Sequence, residues 1–173
     1  MTSGQSWMAI GAMVILSYLS LTFNRSQNVQ LSSSLTYEAV ITSTGIGQSL
    51  LEQIAGLSFD EFTVNGNTSD PDSLTSYFSL GPEGGEDDVT LFDDIDDFNG
   101  FVKYDTLSRL GVFESKVDVY YVNKSDLDYD VMTKTFIKRI DITVINTFLA
   151  RISDQEVEMY KPDTLYFNQV MTY

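Results

Sequence analysis

Hydrophobic positions along the chain fall into three regimes. The run WMAIGAMVILSYLSLTF, Trp7 to Phe23, holds no charged residue and would be apolar on every face of a helix. At a rise of ~1.5 Å per residue this run spans about 25 Å, the short end of what a bilayer core requires. From Gln27 to Leu57 the pattern changes. Val29, Tyr37, Val40, Ile41, Ile46, Leu50, Leu51, Ile54 and Leu57 recur at three-to-four spacing, mostly along one broad stripe. No proline interrupts either stretch, so the spacing predicts one helix from about Ser6 to Leu57, loosened by Ser32 to Ser34 and by Gly45 and Gly47.

The third regime has a period of two. Val117, Val119 and Tyr121 alternate with Lys116, Asp118 and Tyr120, and Ile140, Ile142 and Val144 alternate with Arg139, Asp141 and Thr143. This is the signature of half-buried antiparallel strands. Residues Asn123 to Lys134 read as a long hairpin connection between them. Two further strands are predicted near Gln155 to Tyr160 and Thr164 to Met171, around a turn at Lys161-Pro162-Asp163. Ahead of the strands, residues 63–100 carry the turn dipeptides Asn65-Gly66, Asp70-Pro71, Gly81-Pro82 and Gly84-Gly85. The expected organisation is a membrane or assembly helix over residues 1–57 and a β-rich head over residues 58–173, with a turn-rich loop at 63–100.

Charge sharpens that division. The chain carries 25 Asp and Glu against 10 Lys and Arg, a formal charge of −15. Before residue 52 the only charged side chains are Arg25 and Glu38, so the acid belongs to the head. Such a balance argues against nucleic-acid partners. The chain has no Cys and no His. That excludes disulfides, thiolate nucleophiles, histidine-based dyads and most transition-metal sites. No catalysis is expected.

The apolar run raises the question of its own fate. A signal peptide needs a basic leading region and a small-x-small cleavage site. The opening Met-Thr-Ser-Gly-Gln-Ser has no basic residue, and no convincing cleavage signature follows. The run is therefore read as retained, with Gly11 flanked by Ala9 and Ala12 and followed by Ser17 and Ser20. Small residues let helix backbones approach closely. The packing set is Trp7, Ile10, Gly11, Met13, Val14, Leu16, Tyr18, Leu19 and Phe23.

This order of elements, together with GIGQSLLEQIAGLSFDE, DDFNGFVKYDT, VDVYYVN and TFIKRIDITV, resembles type IV pilins and pseudopilin-like envelope proteins. The resemblance implies an α+β fold, a long hydrophobic N-terminal helix followed by a small antiparallel sheet head. It also implies copies of the same chain as partners in a helical filament, and membrane lipid as the partner before assembly. The corresponding location is the cell envelope, in the inner membrane first and in an extracellular pilus-like filament afterwards. The leader departs from the family pattern. Gly4 is followed by Gln5, and the fifth residue after Gly4 is Ala9 where pilins carry Glu. The alternative is a single-pass, membrane-anchored extracytoplasmic binding module, or a pseudopilin of a secretion system.

The richest chemistry lies in Glu86, Asp87, Asp88, Asp93, Asp94, Asp96, Asp97 and Asn99. Clustered oxygen ligands suit Ca²⁺, which takes six to eight of them from flexible loops. The EF-hand spacing fails, because a loop beginning at Asp94 puts Phe98 at its fifth position. Asp93, Asp94, Asp96, Asp97 and Asn99 are the candidate calcium ligands; the other reading is a solvated acidic loop. No other cofactor is implied.

Overall fold

The computed structural model describes residues 3–149 and 163–173. The fold is α+β. Helix α1 runs Ser3–Ala55 and a short α2 covers Glu61–Val64. The strands are β1 Val102–Leu107, β2 Gly111–Asn123, β3 Asp126–Asp130, β4 Ile137–Ile145 and β5 Thr164–Thr172. The strand expected at Gln155 to Tyr160, and the turn leading out of it at Lys161 and Pro162, lie outside the described residues. Two compact units result, Met1–Glu38 and Ala39–Tyr173.

The first unit is the leading part of α1. Ser32 to Ser34 do not interrupt it, and neither do Gly45 and Gly47 further along. Its apolar side chains are exposed all round, Trp7, Met13, Leu16 and Phe23 among them.

In the second unit the sheet is antiparallel in the order β1-β2-β4-β5, with β3 pairing the far end of β2. Alternation explains its inner face. Phe113, Ser115, Val117, Val119 and Tyr121 of β2 are buried, as are Lys138, Ile140, Ile142 and Val144 of β4. The register sets Val117 opposite Ile142, Val119 opposite Ile140, and Tyr121 opposite Lys138. Two elements differ from the sequence reading. The connection at 123–134 contains β3, which pairs Val122 with Asp130, and β1 adds an edge strand from VKYDTL. Neither strand has a buried residue. With no half-buried face there is no apolar alternation to read.

The continuation of α1 from Ala39 buries Leu50 and Ile54 of the predicted stripe, but its first two turns face inward with residues outside that stripe. Ala39, Ser43, Gly47, Leu50 and Ile54 are buried, whereas Ile41 is 73% exposed. The spacing is helical, but the buried residues are small over the first two turns. The sheet supplies the volume there: the Phe167 ring of β5 packs directly on Gly47. A core must be filled to a fixed density, and large residues on one element require small ones on the other.

The turn-rich stretch at 63–100 contributes to the core. Leu74, Ile95 and Phe98 are buried in the core. Phe98 meets Phe92 and Phe101 edge-on, at ring separations of 5.0 and 5.3 Å. The Ser58 N–H donates to the Asp93 carbonyl, and the Ile95 N–H donates back to the Ser58 carbonyl. Those two bonds lay the segment after α1 alongside the acidic run and bring Asp60 toward Asp96.

Candidate functional site

Two features stand out, the apolar helix and a buried carboxylate cluster. In the first unit the residues expected to pack do not pack within the chain. Trp7, Ile10, Met13, Val14, Leu16, Tyr18, Leu19 and Phe23 are all exposed, and a side chain placed on Gly11 would meet nothing within 4 Å. One window of α1 is long and apolar enough to cross a bilayer.

The second feature begins with Asp60. Its backbone N–H donates to Thr63 Oγ1, and its carboxylate accepts from the Phe62 N–H, so it caps α2. The same carboxylate reaches across the core. Its Oδ2 lies 2.9 Å from Lys138 Nζ on β4 and accepts from the Tyr121 hydroxyl of β2 at 3.0 Å. Thr75 donates its backbone N–H and its hydroxyl to the other oxygen. Lys138 also donates to the Phe59 carbonyl at 2.7 Å and to Asp96. Its ammonium stands 4.8 Å from the Phe59 ring and 5.3 Å from the Tyr121 ring, in a cation–π cage. Lys138, Asp60 and Asp96 are closed to solvent, so no substrate reaches this ammonium. The same Tyr121 hydroxyl lies 2.8 Å from the Thr75 carbonyl, so the two acceptors share its single proton.

Asp94 and Asp97 complete the cluster by capping one another's turn. Asp94 Oδ1 accepts the N–H groups of Asp96 and Asp97, and Asp97 Oδ2 accepts those of Asp93 and Asp94. Short Asx side chains bond to nearby backbone in this way, which is why an aspartate-rich run folds into a tight turn. Asn99 commits both ends of its amide: Nδ2 donates to the Leu80 carbonyl and Oδ1 accepts the Val119 N–H. Asp93 is exposed, whereas Asp94, Asp96 and Asp97 are buried. The core of the acidic run is therefore not a solvated loop.

Burial without matching positive charge governs the ionisation of these groups. Burial pushes the Asp94 carboxyl up to about 9, and the nearby Asp96 charge adds to the effect. Burial likewise raises Asp96, outweighing the Lys138 ammonium beside it. Asp60 goes the other way. Burial opposes its ionisation, but the charge and hydrogen bond of Lys138, the Thr75 amide and the Tyr121 hydroxyl prevail, holding it below the usual carboxylate range. Glu83 is pushed up to about 8, first by burial and then by facing the carboxyls of Asp97 and Glu86.

Of the residues singled out in the sequence, the structure brings Asp94, Asp96 and Asp97 together and leaves Asp93 at the surface. It adds Asp60, Lys138, Tyr121 and Glu83. Lys138 was legible, since it shares the parity of Ile140, Ile142 and Val144. Asp60 and Glu83 carried no such signal, because their places depend on how distant segments pack. No protein-family model matches the chain, and neither a curated protein nor a solved structure does.

Proposed function

We propose that this chain is a structural subunit of the cell envelope. Its apolar helix resides in the membrane and then packs against copies of itself in a pilus-like filament, with the acidic unit facing water. The observation that carries the reading is that all the large apolar side chains between Trp7 and Phe23 are exposed. A helix greasy on every side needs lipid or protein around it. Beyond Phe23 the next charged residues are Arg25 and Glu38, whereas the rest of the chain is densely acidic. That split suits a subunit with one end buried in an assembly and the other solvated. A filament needs only a heterologous contact repeated along a helix, with no symmetry inside the chain.

Gly11 provides the test, because a side chain there disturbs nothing within the chain. Replacing Gly11 or Ala12 with Leu is expected to abolish filaments in material sheared from cells, viewed by negative-stain microscopy. The tyrosine near-ultraviolet circular dichroism of the acidic unit should stay unchanged. Wild-type cells that yield no filaments, with both variants still held in the membrane, would favour a plain single-pass anchor instead.

A further inference from the structure

We propose that Glu83, Glu86 and Asp97 form a divalent-cation site of the calcium class. One carboxylate oxygen from each lies within 4.8 Å of the other two. Calcium–oxygen distances of about 2.3–2.6 Å place two ligands of one ion at most about 5 Å apart, so all three can reach the same cation.

Proximity of acids alone would not carry this. The second observation is a set of buried carboxylate oxygens with nothing to bond. Asp97 is 1% exposed, and its Oδ2 is spent on the N–H groups of Asp93 and Asp94. Its Oδ1 is buried with no hydrogen-bond partner, and the same holds for Oε2 of Glu83. Oδ2 of Asp94 is also buried and unpartnered, on the residue whose N–H holds Asp97 in place. Buried polar atoms are ordinarily satisfied, and unpaired carboxylate oxygens facing other carboxylates are costly unless a proton or a cation joins them. Among the described residues the one buried ammonium, Lys138, is taken up by Asp60 and Asp96. The acids on the Glu83 side have no such counter-charge.

The local chain is shaped to present these oxygens. Glu83, Gly84, Gly85 and Glu86 form a turn in which the Glu83 N–H donates to Glu86 Oε2 at 2.9 Å and the Glu86 N–H returns to the Glu83 carbonyl. Gly85 has φ +121°, a conformation that requires glycine, and it lets both glutamates of one turn face Asp97. Glu83 also lines an open groove with Glu61, Pro82 and Lys134, which gives a hydrated ion a path from solvent. Calcium suits the mixed, irregular set better than magnesium, which demands near-ideal octahedral geometry and gives up water reluctantly. The site does not depend on how the apolar helix is used.

The test is calorimetric titration of the full chain in detergent with CaCl₂, with MgCl₂ as control, alongside thermal melting in calcium and in EGTA. Calcium is expected to bind with a Kd of roughly 10⁻⁴–10⁻³ M, the range of extracellular modules. At about ten times Kd it should raise Tm by about 3–6 °C. The double variant E83Q/E86Q should lose the calcium heat and the melting shift while melting in EGTA at or above the wild-type temperature. Glu83→Gln alone gives the same reading if the double variant does not fold, because the Glu83 carboxylate holds no backbone group among the described residues. A wild-type protein that shows neither heat nor a Tm shift with calcium overturns the proposal. So does a calcium response that survives intact in the folded variant.

Discussion

Gly47 of α1 and Phe167 of β5 are packed so closely that a Cβ on the glycine would lie 2.5 Å from ring carbons Cδ2 and Cε2. The contact sets how near the helix lies to the sheet. It also accounts for a glycine in mid-helix, where it would otherwise cost about 1 kcal/mol relative to alanine.

Gly47→Ala should therefore destabilise the Ala39–Tyr173 unit despite the gain in helix propensity. Overpacking costs about 1–3 kcal/mol, so a net loss of up to about 2 kcal/mol is expected. In a Phe167→Ala background the sign should reverse, because the ring no longer occupies the space. A double-mutant cycle by denaturant titration reads the coupling directly. Additive effects would show that the ring simply moves aside.

Lys138 should be intolerant of removal. Lys138→Ala leaves Asp60 and Asp96 buried without a counter-charge, a loss of about 3–5 kcal/mol. Combining Lys138→Met with Asp60→Asn and Asp96→Asn should recover most of it, since the desolvation penalty goes with the charges. The exposed pair of Lys116 and Glu114 offers a control, and Lys116→Ala should leave the denaturation midpoint unchanged. Tyrosine circular dichroism follows unfolding of this unit, because the only tryptophan, Trp7, lies elsewhere.

Tyr121→Phe removes one hydroxyl that serves both Asp60 Oδ2 and the Thr75 carbonyl. The acceptors stay buried and lose a donor, so a cost of about 1–3 kcal/mol is expected. Tyr120→Phe makes the contrast. Its hydroxyl donates to Asp141 from the half-buried outer face, where water can replace it, and the loss should be smaller.

Asp60 should make folding acid-sensitive. It is faced by Lys138 and Tyr121, with Asp96 on the far side of the ammonium. Its folded pKa is below the ordinary value, so its stabilising contribution is complete above about pH 4 and disappears as the pH falls through the folded value. The gap in Tm between wild type and Asp60→Asn should be constant near neutrality and should narrow below about pH 4. A gap that widens with acid would mean the carboxyl is not held ionised by Lys138.

Much of the architecture was legible from local pattern. The long helix, β2, β4 and β5 follow from uninterrupted runs of apolar residues at helical or two-residue spacing, and in β2 and β4 burial alternates along the strand as that spacing predicts. β1 and β3 were invisible for the complementary reason: they are held by ladder hydrogen bonds at edges where no residue is buried. On the inward face of α1 the stripe placed Leu50 and Ile54 correctly but favoured Ile41 over Ser43 and Gly47. Side-chain hydropathy ranks Ile41 above Ser43 and Gly47, yet Ile41 is exposed while Ser43 and Gly47 lie inward, where the Phe167 ring leaves no room for a side chain at Gly47.

By itself, the order of residues determined that one end of the chain is greasy on all sides and that the other is acidic, with strands of period two. Those are properties of neighbours along the backbone, and hydropathy and spacing express them directly. Only the tertiary structure decided that an acidic run is half core, that Lys138 and Asp60 meet from 78 positions apart, and that Glu83 and Glu86 face Asp97. Such meetings are decided by strand register and by turns that close in three dimensions, which no local window of sequence contains.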